Sequence, residues 1–208
     1  MKFLKQNSYD IVKLFVNQIG IAIFSMALYT AISIAVSNND NVTAGLQIFI
    51  SVAATLFYFS LLYVTTWENG AKDAIRIESG KMEPMPHKGL LLALFANVPN
   101  FLLCGLAIIF MTAFIAGGAS WLEQAFGILN LFFGFLESMF LGVVINIFPI
   151  VDGMAKESMD LVYLFRTIAY FVAPLLSIGV TAFAYIMGSK NKRIFGARNA
   201  KGSQANRE

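Results

Sequence analysis

Few residues of this chain can do chemistry, and the first of them is Glu137, the one carboxylate in the apolar run NLFFGFLESMFLGVVIN at 130–146. A charge at the middle of a bilayer costs about 2.5 to 3.5 kcal/mol on insertion scales, so such a group should be protonated, paired or beside water. Two readings follow: a proton or cation site, or polar glue between helices. Arg166 is the other charged group well inside an apolar stretch, and its depth favours snorkelling to the interface over reaching Glu137. Taken as a helix, the segment sets Gly127, Asn130, Gly134, Glu137, Ser138, Gly142 and Asn146 on one stripe, mostly at steps of three and four. Phe132, Phe133, Phe135, Met139, Phe140 and Val143 cover most of the rest. The pattern predicts one continuous helix over 121–150 whose polar stripe faces the bundle interior.

A second group lies in ANVPN at 96–100. Pro99 removes a backbone donor and disfavours helical geometry at Val98, so a kink or break is expected, with Asn97 and Asn100 able to satisfy the freed groups. Broken helices line binding sites in several transporters, although a structural proline kink is the commoner case. Asn97, Asn100, Asn130, Glu137, Ser138 and Asn146 are therefore the candidate solute or proton site.

Other reactive residues form no constellation. His87 is the one histidine and sits beside Lys88 with no nucleophile or acid adjacent, which reads as an interfacial histidine. Cys104 is the one cysteine, so an intramolecular disulfide and a Cys/His zinc site are both excluded within one chain. No phosphate-binding glycine loop, HExxH or GxSxG is present, and an intramembrane enzyme using Glu137, Cys104 or His87 is the least favoured reading. We assign no catalytic, cofactor or metal residues.

Charge offers a third feature. In WENGAKDAIRIESGK, Glu68 precedes Lys72 by four and Asp73 precedes Arg76 by three, spacings that pair charges along a helix. This reads as a short helix on the cytoplasmic surface, with Lys72, Asp73 and Arg76 as candidate residues for docking a soluble or membrane partner subunit. The tail SKNKRIFGARNAKGSQANRE reads as basic and disordered, and its first part could hold anionic lipid. No nucleic-acid partner is expected, because no folded aromatic platform accompanies this single cluster. The triplet NVT at 41–43 matches a glycosylation sequon but is too short to carry weight.

The elements that must position these residues follow from composition. The chain is 58% hydrophobic and only 13% charged, where a soluble domain carries about a quarter. Five apolar stretches, at 14–36, 45–66, 89–116, 121–150 and 161–187, each exceed the ~20 residues needed to cross a bilayer. The expected fold is all-α, a polytopic transmembrane bundle of five clear spans or six crossings. Residues 1–188 form the single membrane domain and 189–208 the tail. In the first span Ala27, Ala31 and Ala35 make a small-residue ridge for helix packing.

Orientation carries a conflict. Lys2, Lys5 and Lys13 precede the first span, and Lys72, Arg76, Lys81 and Lys88 follow the second, while SNNDNVTAG between them has no Lys or Arg. This places the amino terminus on the inner side of the membrane, which is expected to be the cell membrane. Five crossings would then strand the tail's six basic residues outside. An even number of crossings, with a re-entrant piece or extra span within 88–150, would remove the conflict and put the acidic connector DGMAKESMD outside. The expected function is a transport- or permeation-related bundle or a membrane subunit of such a system; the alternative is a non-transporting accessory or sensor protein that recruits partners.

Overall fold

A computed structural model describes residues 2–35 and 40–192. Among the described residues 86% are helical and none forms a strand. In chain order the helices are α1 (Lys2–Ala35), α2 (Asp40–Glu78), α3 (Lys88–Ala96), α4 (Val98–Ile115), α5 (Ser120–Leu136), a 3-10 turn (Ser138–Phe140), α6 (Leu141–Ile147) and α7 (Lys156–Ser189). Four of them, α1, α2, α4 and α7, are each long and apolar enough to cross a membrane. At 1.5 Å per residue the 34 residues of α1 span about 50 Å, well beyond the ~30 Å of hydrocarbon. Phe49, Leu102, Ile109, Leu131 and Leu176 point outward and exposed, a surface suited to lipid rather than water.

The helices share two ends. At the near end, Gln6 and Asn7 of α1 line a groove with Arg76 of α2 and Lys88 of α3. Trp67 Nε1 of α2 donates to the Lys192 carbonyl just past α7 at 2.6 Å, which brings the last turns of α2 and α7 to the same end. At the far end, Gln47 near the start of α2 donates to Ser33 Oγ near the end of α1 at 3.0 Å. Phe110 of α4 stacks edge-on against Trp121 of α5, and Lys156 at the start of α7 pairs with Glu123 of α5 at 3.2 Å.

Between these ends the fifth apolar stretch departs from expectation. The predicted continuous helix over 121–150 is broken at Glu137, and the two pieces are bent by 81°. α5 descends from the far end to the middle of α1, where Gln18 and Ala22 meet Glu137 and Ser138. The chain then climbs again. Met139 lies against Thr55 of α2, Gly142 against Ser51, and Asn146 against Gln47, one helical turn nearer the start of α2 each time. The α5–α6 hairpin therefore enters from the far end, reaches mid-depth and returns to the far end. α1, α2 and α7 run the full length, α3 and α4 together make a fourth pass, and the fifth apolar stretch dips and returns.

The break is held by distant side chains. A helix interruption frees backbone groups that must be satisfied inside the protein. Leu136 O accepts from Gln18 Nε2 at 3.3 Å, Met139 O accepts from Thr55 Oγ1 at 3.2 Å, and Gly142 N–H donates to Ser51 Oγ at 2.8 Å. Gly142 permits the close approach, since a Cβ there would fall on the Gln47 carbonyl.

Two further departures matter for the site. The charged stretch after residue 66 is no separate surface helix, because α2 continues unbroken to Glu78. The expected break in the third apolar stretch is present, but it falls at Asn97, with Pro99 in the first turn of α4 where its missing N–H costs nothing. Most of the tail, residues 193–208, lies outside the described residues, and so does 36–39.

Candidate functional site

Glu137 is 1% exposed and terminates α5. Its Oε1 accepts from Gln18 Nε2 at 3.1 Å, and its Oε2 has no partner. Asn100 of α4, itself fully buried, lies near the same carboxylate. Its own Nδ2 donates to Asn97 Oδ1 at 3.1 Å, and its Oδ1 has no partner. Asn97 Nδ2 donates to Ala93 O at 2.9 Å and to Ser177 Oγ of α7 at 3.3 Å. A third buried oxygen without a partner, the Tyr170 hydroxyl, belongs to a ring packed against Phe133 at 5.6 Å. The interior thus holds a polar chain from Gln18 through Glu137, Asn100 and Asn97 to Ser177, contributed by α1, α4, α7 and the two helix breaks.

This chain lies at the break points for a local reason. Each break turns a polar residue inward: Asn97 separates α3 from α4, and Glu137 separates α5 from the 3-10 turn. No ion pair joins Glu137 to a cation among the described residues. Arg166 instead donates through Nε to Phe148 O at 2.8 Å and through Nη2 to Ile145 O at 3.4 Å, so it satisfies carbonyls at the end of α6. Neighbouring Gln18, Tyr58, Asn97, Ser177 and Thr181 border a seam too narrow for a water molecule.

The other stripe residues divide. Ser138 Oγ donates to Ala22 O of α1 at 2.7 Å and Asn146 Nδ2 to Gln47 Oε1 of α2 at 3.3 Å, so both serve helix packing. Asn130 is half-buried and stands apart from the chain. The single inward stripe from Gly127 to Asn146 does not exist: Gly127 is exposed, whereas Phe133, Met139 and Phe140 are buried. The break rotates everything after Glu137 away from the register of a straight helix.

At the near end, Lys72 and Arg76 are exposed, with side chains 67% and 64% accessible. Asp73 is not. It is 2% exposed and receives Lys88 Nζ at 2.7 Å and the Tyr185 hydroxyl at 3.0 Å. The proposed docking trio is thus two outward cations and one inward anion. His87 is exposed at the start of α3, and Cys104 is buried and free. No group of three or more metal-ligating side chains occurs among the described residues.

Several participants were not singled out in the sequence. Gln18 was visible as a polar residue within the first apolar stretch, but nothing local distinguishes it from Asn17. The Asp73–Lys88–Tyr185 network unites residues 15 and 112 positions apart, and no spacing rule connects them.

Compared with protein-family models, with curated proteins and with solved structures, the chain matches none.

Proposed function

We propose that this is a transport- or permeation-related membrane protein, or the membrane subunit of such a system, in which Glu137 binds a proton or a monovalent cation at mid-depth. One observation carries the reading: a fully buried carboxyl group at the tip of the α5–α6 hairpin, with no cation beside it among the described residues and with one oxygen unpartnered. A bare carboxylate in such surroundings is too costly to persist, and a proton or a small cation removes the cost. A proton or a small cation on Oε2 would also give a partner to an oxygen that otherwise has none. The narrow seam beside it is then the closed form of a path that opens during turnover.

We also propose that the near end is cytoplasmic and the membrane is the cell membrane. Lys5, Lys13, Lys72, Arg76, Lys81, Lys88, Lys190 and Lys192 lie on or beside the near-end elements. The far end carries Lys156 and Arg166 with Glu123, Asp152, Glu157 and Asp160. Four full passes put both the amino terminus and the end of α7 on the basic side, as the positive-inside tendency favours. The parity conflict of five spans disappears.

The second reading is a non-transporting accessory or sensor protein, favoured by the closed seam and by the use of Ser138 and Asn146 in packing. Reconstituted vesicles separate the two. Wild-type protein should dissipate an imposed proton, Na⁺ or K⁺ gradient, and Glu137→Gln should slow this about tenfold or more. Equal rates in both, or no flux above empty vesicles, would return Glu137 to a packing role.

A further inference from the structure

The near end holds a second polar feature that the interior site does not use. Two adjoining openings of about 350 Å³ each lie between the first turns of α1, the last turns of α2 and the connector before α3. They share Gln6, Arg76 and Lys88, so they form one groove. Its walls carry Lys13, Lys72, Arg76, Lys81 and Lys88 against two carboxylates, Asp10 and Asp73. Asp73 is already engaged by Lys88 and Tyr185 and is 2% exposed, so it offers little negative charge to the groove. Lys13 and Lys81 make no ion pair among the described residues, and Arg76 stands 3.8 Å from Asp73, a long contact for a guanidinium. The groove is an excess of cationic donors without a matching anion.

Its surroundings indicate which anion. Met85 lines the groove and is 40% exposed, Leu4 just before Gln6 is 40% exposed, and Ile75 beside Arg76 is 67% exposed. Apolar side chains at the rim of a basic groove, on helices that continue into apolar spans, suit a ligand with a phosphate at one end and hydrocarbon at the other. Trp67, two residues before Asn69 of the groove, has its ring nitrogen bonded to the chain just past α7, and such an amphipathic ring suits the headgroup level.

We propose that this groove binds the phosphate of an anionic lipid headgroup, with Lys13, Lys81 and Arg76 as its direct contacts. Lys88 serves the groove differently, holding Asp73 and so fixing the wall.

Native mass spectrometry of the protein released from vesicles of equal phosphatidylglycerol and phosphatidylcholine tests this. Wild type should retain the anionic lipid in clear excess. A basic residue near an anionic surface is worth about fivefold in binding, so Lys13→Gln with Lys81→Gln should cut retention at least tenfold. Lys156→Gln at the far end should change nothing. Arg76→Gln provides a second, single-site variant should the double variant lose its helical signal or monodispersity, and retention should then fall about fivefold. Unchanged retention in a folded groove variant, or an equal loss with Lys156→Gln, overturns the proposal. Displacement of the lipid by millimolar inorganic phosphate would assign the groove to a soluble phosphate instead and equally overturn it.

Discussion

Gln18 of α1 donates its side-chain amide to Oε1 of Glu137 at 3.1 Å across 119 residues of sequence. The same amide also reaches the Leu136 carbonyl at 3.3 Å. One side chain therefore both orients the buried carboxyl and supports the helix break that delivers it.

The neutral and apolar replacements of Glu137 should part company in stability. Glu137→Gln keeps an acceptor for Gln18 and removes the carboxyl group that burial penalises when it is charged, so thermal stability in detergent should equal or exceed wild type. Glu137→Leu leaves the Gln18 amide short of a partner and should cost about 1 to 3 kcal/mol. Equal losses for both would mean that the native carboxyl is ionised and held by an interaction that the amide cannot replace.

Close packing at the return limb of the hairpin is similarly exposed to test. Gly142→Ala would place a methyl group on the Gln47 carbonyl of α2. Overpacking of this kind typically costs about 1 to 3 kcal/mol, and the hydrogen bond from Gly142 N–H to Ser51 should be lost with it. Gly134→Ala has open space and should be neutral or stabilising. A reversed order of the two in denaturation experiments would contradict the placement of α6 on α2.

Local chemistry made part of this architecture legible. Helical class follows from long apolar stretches with few charges, and the break before Pro99 follows from the backbone of one residue. The break at Glu137 was not legible, because the groups that stabilise it are Gln18, Ser51 and Thr55 on two other helices. A helical-wheel reading assumes that the helix continues, so it assigned Phe133 and Met139 outward, and both are buried. Asp73 was misread for a related reason. Its spacing to Arg76 suggested a surface pair; the pair is present at 3.8 Å, but Lys88 arrives from the next helix and draws the carboxylate inward.

The Asp73–Lys88 pair should behave as a buried ion pair in a double-mutant cycle. Lys88→Met alone leaves a 2% exposed carboxylate with a neutral donor and a distant guanidinium, and should cost about 3 kcal/mol or more. Adding Asp73→Asn should recover most of that loss. Strict additivity of the two substitutions would show that the pair is not coupled.

The central claim is that the fifth apolar stretch dips and returns, so that the chain makes four full passes. Single cysteines placed at Ser79, Asp152 and Asn191, in a Cys104→Ala background, report it directly through a membrane-impermeant thiol reagent applied to each side of sealed vesicles. The account predicts that positions 79 and 191 label from one side and position 152 from the other. Labelling of 79 and 191 from opposite sides would contradict it, and the α5–α6 hairpin would then have to be a fifth crossing.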